Sequence, residues 1–353
     1  MPFKRSSQLS YSPAIIILYK IAVLLSSPFS DILLKMKYRL GITAGDPAGI
    51  GAEVTLKALK HKSLYDHCIP LVIGDKAVME DALAMTGLSL KLNCVNTPEE
   101  ARGEYGTIDL LDLRILKSRQ PGGNGWDYGL LSAAAGEAAF RYVERAINLA
   151  MRKRLSGIVT APINKEAINL AGHHYAGHTE ILADLTGTKE YAMILIFNKL
   201  RVIHVTGHVS LKAAADRITT DRVLAVIRLA QEGLMLLGCE KPRIAVAGFN
   251  PHASEGGLFG DEEARAIIPA VEAARAEGLN ASGPWPPDTV FVKALGGHFD
   301  VVVAMYHDQG HIPLKLAGFT LDPSQVNNQM IRYVEALNSQ GVPPDFGNMG
   351  RNK

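Results

Sequence analysis

Val301-Val302-Val303-Ala304-Met305-Tyr306-His307-Asp308-Gln309-Gly310-His311-Ile312-Pro313-Leu314-Lys315 joins an apolar run to a cluster of ligand-type side chains. Its first five residues are an unbroken apolar run of strand length. Such a run predicts a strand buried on both faces, as in a parallel sheet covered by helices. From His307 to Lys315 the chain then carries two imidazoles, a carboxylate and an ammonium within nine residues. In open α/β sheets, ligands bind at the carboxyl ends of the strands. Histidine ligates metals, a carboxylate orients or shares them, and lysine binds phosphate. A second reading is a polar loop with a capping Asp308 and solvated histidines.

Two further stretches repeat the pattern. Ile244-Ala245-Val246-Ala247 is an apolar run that ends in Gly248-Phe249-Asn250-Pro251-His252, and Val202-Ile203-His204-Val205 ends in Thr206-Gly207-His208. His208, His252 and His307 thus each lie just beyond an expected strand. In a parallel sheet those ends share one edge. Three histidines there match a catalytic metal site that keeps open positions for water or substrate. The chain has 11 histidines, so some follow strands by chance. His204, inside its strand, reads as a core histidine.

Strand-like and helical segments alternate through the rest of the chain. Tyr38 to Thr43 reads as a strand before a helix from Glu53 to Leu59, and Pro70 to Ile73 precedes a helix from about Lys76. A long Ala-rich helix is expected from Leu130 to Arg152, leading to the strand Gly157 to Thr160. Further helices are expected from Arg222 to Leu237 and from Glu262 to Glu277. This order implies an α/β fold with a mostly parallel sheet. Gly45-Asp46-Pro47-Ala48-Gly49-Ile50-Gly51 sits at a strand–helix turn but reverses the G-x-G-x-x-G spacing, so the dinucleotide fingerprint fails. Gly177-His178-Thr179-Glu180 opens an apolar-periodic run. Its start is either a phosphate-binding helix N-terminus or an ordinary cap at Thr179.

With 353 residues, 47% of them hydrophobic, the chain builds one large or two medium cores. A net charge of +2 argues against a nucleic-acid partner. Cys68, Cys94 and Cys239 form no C-x-x-C pair, which fits a reducing, cytoplasmic setting.

The sequence resembles the 4-hydroxythreonine-4-phosphate dehydrogenase family from Met36 to about Phe319. The residues that carry the resemblance are Gly45 to Gly51, Thr160-Ala161-Pro162 with Asn164-Lys165, Gly177-His178-Thr179-Glu180, Asn250-Pro251-His252-Ala253, Pro287-Asp288-Thr289 and Met305 to Gly310. Gly257 to Glu263 and His311 to Lys315 look closer to a sister branch acting on D-threonate or D-erythronate 4-phosphate. The resemblance implies two α/β/α halves around a cleft, in the isocitrate and isopropylmalate dehydrogenase architecture. It implies NAD- or NADP-linked oxidation and decarboxylation of a 4-phosphorylated hydroxy acid, with a divalent metal (Zn, Co or Mg). It leaves pyridoxine biosynthesis and sugar-acid catabolism both open. His208, His252 and His307 match the metal ligands. His178, Thr179, Asp288, Asp308 and Lys315 match substrate contacts. A homodimer with a shared active site is also implied, with neither nucleic acid nor membrane as partner. Gly207 stands where the family usually has a hydroxyl residue. A phosphate acyltransferase of related architecture is a rival reading, although it would not need three histidines at strand ends.

The expected division is a non-family extension at residues 1–35, a first half at 36–175, a metal- and substrate-binding half at 176–322, and an atypical tail at 323–353. Ala14 to Leu25 is apolar except for Lys20, which reads as translation from an upstream start or as a weak signal peptide. Beyond Phe319 the family continues into a glycine-rich segment with a substrate-binding Asn and Arg. Asn327, Asn328 and Arg332 have those residue types in another context, so the roles are not carried over. A catalytically impaired homologue that still binds metal or a phosphorylated ligand is therefore the alternative.

Overall fold

The structure is a computed structural model that describes residues 38–119 and 125–318. The expectations for residues 1–35 and for the tail beyond Phe319 lie outside the described residues. Tertiary contacts divide the chain into two compact units. The first runs to Met193 and takes in Met235–Cys239; the second comprises Ile194–Leu234 and resumes at Glu240.

In the first unit the order is β1 (Tyr38–Thr43), α1 (Gly51–Leu59), α2 (Leu64–His67), β2 (Cys68–Gly74), α3 (Lys76–Thr86), β3 (Lys91–Val95) and β4 (Thr107–Asp112). It continues with α4 (Ala133–Met151), β5 (Gly157–Thr160), α5 (Lys165–Leu170) and α6 (His178–Thr186). The strands form one sheet in the order β3-β4-β2-β1-β5, with every pair parallel. Leu71, Val72 and Ile73 of β2 are wholly buried, which is why that strand reads as a continuous apolar run. Helix α4 lies against β1, β2 and β5. Its cap is Ser132, whose hydroxyl accepts the Ala135 N–H at 3.3 Å, so the helix starts at Ala133 and not at the expected Leu130. Phe140, Val143 and Ile147 bury one stripe of it at helical spacing. At the N-terminal end of the same stripe Gly136 meets α5 so closely that a Cβ would collide with the Ala167 carbonyl.

The turn from β1 to α1 is fastened by Asp46. Its buried carboxylate accepts the Ala48 N–H at 2.9 Å, and its own N–H reaches the Pro162 carbonyl beyond β5 at 2.9 Å. Burial raises the Asp46 pKa.

In the second unit the order is β6 (Ile194–Phe197), β7 (Leu200–His204), α7 (Leu211–Arg217), α8 (Thr220–Leu236), β8 (Ile244–Ala247) and α9 (Ile268–Ala276). Next come β9 (Ala281–Trp285), α10 (Pro287–Leu295), β10 (Val301–Ala304) and α11 (His307–Gly318). The sheet order is β6-β7-β10-β8-β9. All pairs are parallel except the β6–β7 hairpin. β10 sits between β7 and β8, and its four residues are fully buried. Helix α11 packs on β6, β7 and β10, and α10 packs on β7, β8 and β10. Two elements differ from expectation. The ligand-rich stretch after β10 is a helix from its first histidine, not a polar loop, and it carries Pro313 inside it. The helix expected from Glu262 opens with a π-helical turn, Glu263–Ile267, before α9 begins.

Two glycine substitutions should separate packing from propensity. Alanine is the better helix former by about 1 kcal/mol. Gly233→Ala in α8, where an added Cβ meets nothing within 4 Å, should raise stability by about 0.5–1 kcal/mol in urea unfolding. Gly136→Ala should instead lower it by about 2 kcal/mol, because the Cβ displaces backbone across the α4–α5 contact.

Candidate metal and substrate site

The parallel registers bring three strand ends to one edge of the second sheet. Ala304 pairs with His204, and Val303 pairs with Val246. Just past the strands, Val205 N–H donates to the Ala304 carbonyl at 2.8 Å. The Thr206 hydroxyl donates to the Met305 carbonyl at 2.9 Å. These bonds hold the β7 and β10 exits together, and the His208 and His307 rings lie 5.1 Å apart. Gly207 has open space where a Cβ would go, and its carbonyl accepts the Val209 N–H at 2.9 Å.

His307 is held from three sides. Its Nδ1 pairs with the Asp308 carboxylate at 2.7 Å. Its ring stacks on His311 at 3.6 Å and 13°. Its carbonyl accepts from His311 Nδ1 at 2.9 Å. His311 in turn lies 4.7 Å from the buried His204 ring. With Nδ1–H given to Asp308, His307 keeps the Nε2 lone pair for a ligand. The same bond holds the Asp308 carboxyl below its ordinary range. Lys315 is exposed and stands one turn beyond His311 on the same helix. Its charge reaches both Asp308 and His311.

His252 stands apart from this pair. It belongs to a turn in which His252, Ala253, Ser254 and Glu255 all have positive φ, from 45° to 68°. For non-glycine residues each such position costs roughly 1 kcal/mol or more. The turn is tied from inside by the Ser254 carbonyl, which accepts from Gly257 at 3.1 Å and Leu258 at 2.8 Å. Gly248 makes room for it, since a Cβ there would lie 2.8 Å from Ala253 Cα. The His252 Nδ1 pairs with Glu255 at 2.9 Å, and the ring meets Phe259 edge-on at 6.3 Å. Neutral imidazoles suit a divalent metal in kind. In place, the structure assembles His208 with His307 and not His252. Among the described residues no group of three or more His, Cys, Asp or Glu is close enough to hold a metal ion.

Of the expected substrate contacts, Asp308 and Lys315 share α11. Asp288 is exposed in the first turn of α10, which has no side-chain cap. His178 and Thr179 open α6 in the first unit. Gly177, not Thr179, occupies the cap position, and no side chain caps the helix. The first-turn N–H groups are therefore available to an anion. A Cβ on Gly177 would sit 3.7 Å from Lys165 Cε, so that lysine stem borders the helix start. The His178 ring bonds the Ala161 backbone, while its buried Nε2 has no protein partner. Burial pulls its pKa down to about 4, with the Lys165 charge acting in the same direction.

Glu263 and Gln309, to which the motifs assigned no role, anchor the backbone around the histidines. Glu263 Oε1 accepts from Phe249 N–H at 2.8 Å and Asn250 N–H at 2.7 Å. Gln309 accepts from Met305 N–H at 2.6 Å and donates to the Gly248 carbonyl at 2.7 Å. Gln309 was visible inside the histidine motif. Nothing local distinguishes the buried Glu263 from its half-buried neighbour Glu262, which accepts from the Asn250 side chain at 2.7 Å.

Two of these local environments should register in unfolding. His178 is neutral when folded, and its pKa of about 4 lies below the ordinary 6.5. The unfolded chain therefore binds the extra proton between those values. The His178 contribution is complete above pH 6.5 and is lost as pH falls through 4. Urea unfolding of His178→Gln against the native chain should show a shallower acid decline, by about 2 kcal/mol across that window. Ala253→Gly should raise the unfolding free energy by about 1 kcal/mol, because glycine accepts the left-handed φ.

Most of the chain is similar to proteins of known family. The family described as pyridoxal phosphate biosynthetic protein PdxA matches residues 66–331. A D-threonate 4-phosphate dehydrogenase of Cupriavidus necator is 51% identical over 280 residues, covering 79% of this chain and 82% of the relative. A 4-hydroxythreonine-4-phosphate dehydrogenase of Desulfosudis oleivorans is 48% identical over 282 residues, covering 79% and 82%. The crystal structure of a 4-hydroxythreonine-4-phosphate dehydrogenase from Burkholderia phymatum superposes with a TM-score of 0.74 at 47% identity, over 80% of this chain and 84% of that one. With three-quarters of its length matched and half of its aligned residues identical, the chain belongs to the PdxA family of dehydrogenases.

Proposed function

We propose that this chain catalyses the metal-dependent, NAD- or NADP-linked oxidation and decarboxylation of a 4-phosphorylated hydroxy acid. D-Threonate 4-phosphate is the favoured substrate, ahead of D-erythronate 4-phosphate and 4-phosphohydroxy-L-threonine. The observation that carries the reading is the His208–His307 pair at the sheet edge, with His307 oriented by Asp308. The relative named for D-threonate 4-phosphate, together with the Gly257–Glu263 and His311–Lys315 segments, supports the substrate branch.

His208 and His307 would hold the metal, and His252, beyond the third strand end, is the further ligand that the family resemblance implies. When bound, a divalent metal would lower the pKa of the substrate hydroxyl and a nicotinamide would take the hydride. The chain's own residues do the rest. Asp308 fixes the His307 tautomer so that Nε2 is the coordinating atom. His178, neutral at ordinary pH, accepts a hydrogen bond from a substrate hydroxyl at Nε2. Being uncharged, it does not neutralise the phosphate. The uncapped start of α6 offers unpaired N–H groups to an anionic group. In the second unit, Lys315 offers an ammonium on the helix that carries His307. A homodimer that shares its active site, as the family resemblance implies, belongs to the same reading.

The test is absorbance at the reduced-nicotinamide band with purified protein, a divalent metal, NAD or NADP, and each of the three substrates in turn. Turnover with D-threonate 4-phosphate is expected. It should disappear in His252→Ala and fall about tenfold to a hundredfold in Asp308→Asn. Folded, metal-loaded protein that turns over none of the three would overturn the reading in favour of a ligand-binding homologue.

A further inference from the structure

We infer that Gln309, together with Glu263, is a positioning device that sets the spacing between the His252 turn and the His307 helix. The inference rests on the reading that these two histidines serve one ligand. It starts from a requirement of the backbone. Between the end of β8 and the left-handed turn, Gly248, Phe249 and Asn250 have left the strand ladder. Their N–H and C=O groups still need partners. Only the Gly248 N–H finds one in a neighbouring strand, donating to the Trp285 carbonyl at 2.8 Å.

Side chains supply most of the others. Glu263 is 1% exposed and accepts three bonds from this short segment: Phe249 N–H and Asn250 N–H on Oε1, and Asn250 Nδ2 on Oε2 at 2.8 Å. It reaches them from a π-helical turn, a rare geometry that is found often at functional sites. Gln309 is 8% exposed and uses both ends of its carboxamide. Its Oε1 takes the Met305 N–H, in the turn that launches His307. Its Nε2 gives to the Gly248 carbonyl, in the segment that launches His252. One rigid planar group thus ties Met305 to Gly248, and Gln309 itself lies 61 positions from Gly248 in sequence. Hydrophobic contact alone tolerates sliding. A donor and an acceptor fixed at opposite ends of one amide do not.

The test compares the full native chain with Gln309→Glu and Gln309→Met by amide hydrogen exchange and by Co2+ titration. Glutamate keeps an acceptor for Met305 N–H but turns a second acceptor toward the Gly248 carbonyl. In Gln309→Glu, Met305 should stay protected while the Phe249 and Asn250 amides exchange at least tenfold faster. Gln309→Met should release both segments. Co2+ binding should weaken at least tenfold in each. Val226→Ala, a core cavity in α8 away from this network, controls for general destabilisation and should change neither readout. Unchanged exchange at Phe249 and Asn250 in the Gln309 variants, or equal effects of Val226→Ala, would overturn the inference. If Gln309→Met does not fold, the Gln309→Glu pattern decides. If the native chain binds no Co2+, the metal reading fails, and the exchange data alone judge the spacing.

Discussion

Val302 pairs with Val202 on one side and with Ala245 on the other, and both ladders are parallel. Everything at the candidate site depends on that pairing. Parallel strands leave the sheet in the same direction, so the chains beyond β7, β8 and β10 emerge at one edge. Each then turns within a few residues to meet a histidine. β8 and β10 are buried on both faces and continuously apolar, while β7 carries Arg201 and His204 among its apolar residues. An antiparallel arrangement of the same three strands would have scattered the histidines to opposite edges.

The sheet brings backbones together, but it does not by itself aim side chains. Around His307 the aiming is done by a carboxylate on Nδ1, a stacked imidazole and a hydrogen bond to its carbonyl. Around His252 it is done by backbone strain held in place by buried polar groups. Four successive left-handed residues would relax if exposed to solvent alone. The internal bonds of Ser254, the missing side chain at Gly248 and the carboxylate of Glu263 hold them. The strain falls on four successive residues just past β8, a strand that also shifts register against β9 between Ala245 and Ala247.

The first unit contributes a different kind of site. His178 is buried enough to be neutral, and its Nε2 lacks a protein partner. Such an atom costs stability unless something outside the chain completes it. The α6 start has no side-chain cap, and both the Lys165 stem and the Glu180 carboxylate border it. A neutral acceptor next to a helix end with unpaired N–H groups suits a molecule bearing both hydroxyl and anionic groups.

Much of this was legible in the sequence. The strands at Tyr38, Val202, Ile244 and Val301, the long helix of the first unit and the α/β class come from runs and periodicities that depend only on neighbours along the chain. The histidines beyond the strands were visible for the same reason. Motif position made Asp308 a candidate to orient His307, and its hydrogen bond to that ring is what the structure contains. The helical state of the stretch after β10 was less plain, because Pro313 and the clustered polar residues imitate a loop. The left-handed turn at His252 was hidden, since none of its four residues is a glycine. The roles of Glu263 and Gln309 were hidden as well. A buried glutamate and a solvated one are the same letter, and Gln309 finds its partner Gly248 only after the chain has returned across the sheet. The sequence determined which segments are strands and helices and which residue types stand at their ends, because those depend on local pattern. Tertiary structure alone decided which of those residues meet, because hydrogen bonds and ring contacts between distant segments exist only once parallel pairing has fixed the register.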